Sequence, residues 1–132
     1  MEHQGIFSFS EFMREGGWGM YPILLLGIVT LASATRYAIR PERLCLRFLA
    51  VLWVTLLVAV VHATVTDVAA VFRYLEDPAR APDGQMARLL VAGLKESSRP
   101  AALGGIFLTL VPLLAAAGIY REYGLGRSAV SS

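Results

Sequence analysis

His62, Thr64, Thr66 and Asp67 are the densest group of reactive side chains in the sequence, and they sit inside an apolar run, Phe48 to Phe72. An imidazole, two hydroxyls and a carboxylate can relay protons, hold water or hydrogen-bond across helices. Polar groups at membrane depth are costly unless they face protein or water, so they mark the inward face of a bundle. At about 100° per residue, Thr55, His62 and Thr66 fall on one helical face, and Trp53, Val60, Thr64 and Asp67 on another. A helix with polar groups on two sides calls for neighbours that enclose it. A membrane threonine often bonds only its own i−3 or i−4 carbonyl, which accounts for any single hydroxyl here. That reading does not account for their clustering with His62 and Asp67. His62 can titrate near neutral pH or donate one hydrogen bond between helices, and Asp67 falls near the outer interface.

Other chemistry finds little support. The single cysteine, Cys45, excludes an internal disulfide and reads as an inert thiol between Arg43 and Arg47. No CxxC, HExxH, phosphate-binding glycine loop or nucleophile elbow is present, and His3 and His62 are too isolated for a metal site. Neither an enzyme nor a cofactor is expected. A formal net charge of +2 is too small to suggest nucleic acid.

The elements that would position the polar group are membrane spans. Of 132 residues, 56% are hydrophobic and 17% charged, with a mean hydropathy of +0.59, which places the chain among integral membrane proteins. Three long apolar segments, about Met20–Ile39, Phe48–Val71 and Ala101–Tyr120, predict an all-α membrane domain of three transmembrane helices. The expected boundaries are an interfacial helix over 1–17, a first span over 18–39, a second over 44–76, a helix including the third span over 85–123, and a mobile tail over 124–132. Ile6, Phe9 and Met13 share one face of the interfacial helix, with Glu11, Arg14 and Glu15 interspersed. Gly16 and Gly17 then turn the chain into the bilayer, with Trp18 and Tyr21 as interfacial aromatics and Pro22 in the first turn. Ala32-Ser33-Ala34 looks like a signal-peptidase site, but the acidic stretch before it argues for a retained span.

Arg36, Arg40, Arg43 and Arg47 crowd the first connection, where Pro41 forces a tight turn near Arg40–Glu42. This places the connection on the cytoplasmic side, with the N-terminus outside and the C-terminus inside. Asp77-Pro78 and Ala81-Pro82-Asp83-Gly84 signal turns in the second connection. Met86, Leu89, Leu90, Gly93 and Leu94 then stripe a further helix. Pro100 either starts the third span, with Ser98 near its cap, or kinks one long helix. Gly104 and Gly105, with the alanines at 115–117 and Gly118, let helix backbones approach closely. Thr109 and Pro112 mark a local kink in this packing helix, where Thr109 can satisfy a nearby carbonyl.

Three stretches, at Gly16 to Pro22, Ala63 to Asp67 and Gly93 to Pro112, together resemble the MotA/TolQ/ExbB family of proton-channel subunits. Gly16-Gly17-Trp18-Gly19-Met20-Tyr21-Pro22 before ILLL is similar to the family's approach to its first span. Ala63-Thr64-Val65-Thr66-Asp67, with Phe72 beyond, matches the spacing of the family's Gly-Thr-Val-x-Gly…Phe pattern. Gly93-Leu94-Lys95-Glu96, Gly104 and Pro112 are similar to its third span. The resemblance implies a long kinked third helix, a bacterial inner-membrane location, and a ring of five subunits around a dimer of a single-span partner bearing an aspartate. It makes Thr64 a lumen-lining candidate, with His62, Thr66 and Asp67 as polar support. The sequence departs from the family at Ala63, Asp67 and Ala101, and by a short first connection where the family carries a large cytoplasmic segment. Those departures suit an alternative, a non-conducting scaffold or assembly subunit of the same architecture. A small transporter or sensor using His62 is a third reading.

Overall fold

The computed structural model describes Arg14, residues 17–77, Ala79 and residues 84–130, with side chains to Gly124. The expected interfacial helix over 1–17 lies almost wholly outside the described residues. Four helices follow: α1 (Met20–Ile39), α2 (Arg43–Leu75), α3 (Met86–Ser97) and α4 (Arg99–Val130). No strand occurs among the described residues. Three helical stretches, Met20–Ile39, Arg43–Leu75 and Met86–Gly124, are long and apolar enough to cross a membrane.

Local sequence explains the boundaries. Gly17 has φ +73°, a left-handed conformation that favours glycine, and this turn leads the chain into α1. Arg40 is extended before Pro41, so α1 stops at Ile39 and α2 starts at Arg43, two residues after the proline. Ser98 keeps helical backbone angles and turns its hydroxyl back onto the Lys95 carbonyl. It does not cap α4, and α3 therefore passes into α4 through one turn residue. Pro100 is buried in the first turn of α4. The helix runs on to Val130, past the expected tail boundary at Gly124. No described glycine but Gly17 takes a positive φ, so no left-handed cap stops α4 at Gly124, and no proline follows to break it.

The helices lock together where a bulky side chain meets a glycine. Val60 of α2 fills the notch at Gly104 of α4, and Phe107 of α4 fills that at Gly27 of α1. Tyr37 of α1 lies on Gly118, and Val71 of α2 on Gly93 of α3; a Cβ at either glycine would come within 2.6 Å of the facing side chain. These pairs fix directions: α1 and α4 run parallel, and α2 runs antiparallel to both. Two buried clusters result. Met20, Ile23, Leu56, Val60, Leu103 and Phe107 form one, and Ala34, Tyr37, Leu49 and Val111 the other. Most other large apolar side chains, among them Leu25, Phe48, Val58, Val65, Ile106 and Leu113, are exposed, which suits a surface facing lipid.

One hydrogen bond binds α2 to α4 midway along their contact. Pro112 lacks an N–H, so the Leu108 carbonyl four residues earlier loses its helical donor. The Trp53 indole Nε1–H donates to that carbonyl at 3.1 Å. Thr109 instead bonds the Gly105 carbonyl at 2.8 Å.

Two outcomes test this packing by gel filtration after heating. Gly104→Ala should destabilise the protein by about 1–3 kcal/mol through overpacking against Val60, whereas Gly105→Ala, with open space around its Cβ, should not. Trp53→Phe should cost about 1–2 kcal/mol, and less in a Pro112→Ala background that restores the missing N–H.

Candidate functional site

The length of α1 sets the frame for the polar group. Its 20 residues span about 30 Å, close to the hydrocarbon core of a bilayer. Gly19, just before α1, packs at the level of Ala63; a Cβ on Gly19 would lie 3.1 Å from that of Ala63. With 33 residues, or about 50 Å, α2 is much longer. Its segment from Thr64 to Leu75 therefore runs past the start of α1 and pairs there with α3. His62 and Thr64 flank the Ala63 level, and Thr66 and Asp67 lie about one turn beyond it.

The two faces of α2 differ. Thr55, His62 and Thr66 are exposed, beside the exposed apolar side chains Val58, Val61 and Val65. Trp53, Thr64 and Asp67 are half-buried and Val60 buried, all on the side packed by α4, α3 and the Gly17–Gly19 turn. Each threonine hydroxyl donates within its own helix: Thr55 to Val51, Thr64 to Val60 and Thr66 to His62, all at 2.8 Å. The His62 ring makes no hydrogen bond to any described residue.

Asp67 opens onto a cleft of about 460 Å³ between α2 and α3, walled also by Gly17, Tyr74, Gly93, Glu96 and Ser97. Two carboxylates, Asp67 and Glu96, thus share one cleft. Ser97 is buried at its base and donates to the Gly93 carbonyl at 2.9 Å. Glu96 joins the cleft only because Val71 seats on Gly93 and brings that face of α3 to α2; the sequence holds no local sign of this. No group of three or more histidine, cysteine or acidic side chains suited to a metal occurs among the described residues.

The third-span candidates separate. Gly104 is buried against Val60, while Gly105 has no side chain near it, and Thr109 and Pro112 are exposed. At the opposite end of the bundle, Glu122 accepts from the Tyr37 hydroxyl and pairs with the Arg43 guanidinium, both at 3.3 Å. Arg121 donates to the Ala38 carbonyl at 2.8 Å. These contacts close the α1–α4 seam beside the arginine-rich turn.

The chain matches no family model, no curated protein and no solved structure.

The cleft's character can be checked with cysteines in a Cys45→Ser background. Asp67→Cys and Glu96→Cys should both react with a water-soluble maleimide in nanodiscs. Leu56→Cys, fully buried, should not. An inert Asp67→Cys would show a cleft closed to water.

Proposed function

We propose that this chain is a ring-forming subunit of the bacterial inner membrane, of the proton-channel or stator kind that its sequence resembles. The orientation proposed with it places the arginine-rich turn in the cytoplasm and the α2–α3 overhang outside. The observation that carries the reading is His62. Its imidazole is exposed among exposed valines and bonds to no described residue. A polar group that faces hydrocarbon without a partner is costly, so the α2 face bearing His62 is suited to cover by a second copy. In such an assembly Thr64 and Asp67 stand beside the acidic cleft, where a path for protons can meet water. A single-span partner bearing an aspartate belongs to the same proposal.

A specific observation favours a second reading, a non-conducting scaffold. All three α2 threonine hydroxyls are spent on their own helix, which leaves none of them to donate into a lumen.

Mass photometry in nanodiscs tests assembly. Oligomers are expected, with His62→Leu lowering their fraction several-fold and His62→Asn retaining it. A strict monomer at all concentrations would overturn the ring. Proton flux into liposomes, measured with and without Thr64→Ala, then separates the readings: flux that needs Thr64 supports the channel, and flux-free oligomers support the scaffold.

A further inference from the structure

A second surface lies at the other end of the molecule. Along the outer side of α1, a groove of about 660 Å³ is lined by Ile28, Leu31, Ala32, Thr35 and Ile39, with Arg36 and Arg40 at one end. Its floor is apolar, and its only polar uncharged side chain, Thr35, is turned back onto the Leu31 carbonyl at 2.9 Å. The guanidinium groups of Arg36 and Arg40 form no hydrogen bond or ion pair with any described residue, and both are exposed. Their neighbour Arg43, by contrast, is engaged by Glu122.

Length and charge together select the occupant. Ile28 to Ile39 is twelve residues of helix, or about 18 Å, and Arg40 follows just past its end. One leaflet of a bilayer core is about 15 Å thick. The groove therefore reaches from about the midplane to the interface, with positive charge only at the interfacial end. A second helix would need small or apolar contacts along its whole length and would bury two unpaired guanidinium groups. A lipid with an anionic headgroup needs what is present: an apolar track for one acyl chain and cations for the phosphate. Two arginines also offset the negative end of the α1 dipole, which on its own disfavours an anion there.

We propose that this groove is a binding site for one anionic phospholipid, its phosphate held by Arg36 and Arg40 and an acyl chain lying over Ala32 and Ile28. The arginines form the fork that reads the phosphate oxygens; the groove supplies the orientation that a diffuse basic surface lacks. The site lies on the opposite end from the α2–α3 cleft and does not depend on oligomer formation.

Native mass spectrometry of the delipidated protein, given an equal mixture of phosphatidylglycerol and phosphatidylcholine, tests this. Two interfacial arginines should yield about a tenfold to thirtyfold preference for phosphatidylglycerol in the first bound lipid. Arg36→Gln with Arg40→Gln should reduce that preference to below about threefold. Arg47→Gln with Arg88→Gln, which removes the same charge from outside the groove, should leave it intact. Ala32→Trp, which fills the track without touching charge, should weaken retention of the first lipid at least several-fold. Equal loss in both arginine pairs would overturn the proposal in favour of diffuse attraction. So would displacement of the lipid by inorganic phosphate, or near-complete disulfide formation between copies carrying Ala32→Cys in a Cys45→Ser background, which would show a second chain covering this face.

Discussion

A carbonyl that lost its donor organises this bundle. The Leu108 oxygen released by Pro112 needs a new donor, and hydrocarbon, which these helices are apolar and long enough to cross, would offer it no water. Trp53 supplies it from the neighbouring helix. Once that bond is made, α2 and α4 share one register. Val60 then falls on Gly104, and further along α2 Val71 falls on Gly93. A proline that would weaken a lone helix here determines where its neighbour lies.

The remaining cohesion is packing. For helices apolar and long enough to cross a bilayer, lipid tails are as apolar as leucine, so burying leucine there would gain little and close approach would supply the attraction. The glycines facing Val60, Phe107 and Tyr37 allow that approach on all sides of the bundle, and the parallel pairing of α1 with α4 follows from two of them. Glu122 then finishes the seam with Tyr37 and Arg43 at the end of the apolar zone. Arg43 is nearly fully exposed, so this pair contributes less to stability than the tyrosine it helps to orient.

Much of this was legible in the residues. Three apolar runs, the Pro41 turn and the glycine-lined third span predict the helices and their close packing. The split of α2 into an outer face with Thr55, His62 and Thr66 and another with Trp53, Thr64 and Asp67 follows from 100° periodicity alone, and the exposures divide the same way. Pairwise facts were not legible. Gly104 and Gly105 are adjacent in sequence but 100° apart on the helix, and only the position of Val60 tells which one is filled. Nothing local marks Tyr37, beside Arg36, as a core residue; it is fully buried because Gly118 leaves room for its ring. Glu96 joins Asp67 for the same kind of reason: the contact between Val71 and Gly93 is long-range, and no local pattern encodes it. The end of α4 was missed because glycine only permits a helix to stop; it does not require it.

The depth of the polar group has the largest bearing on function. Apolar length alone places His62 well inside the second span. Alignment with α1 moves it outward, level with the first residues of that helix, and sends Asp67 beyond them. Carboxylates at that height can be hydrated, so Asp67 and Glu96 need no ion pair to be tolerated. Thr55 lies deepest of the α2 polar side chains, yet its hydroxyl is satisfied by Val51 and demands nothing of a neighbour. That leaves His62 as the group that separates the alternatives. It sits level with the start of α1, on a face of valines, with ring nitrogens that no described residue meets. Whatever supplies that hydrogen bond, whether water held at a rim or the edge of another copy, decides whether this helix borders lipid or protein.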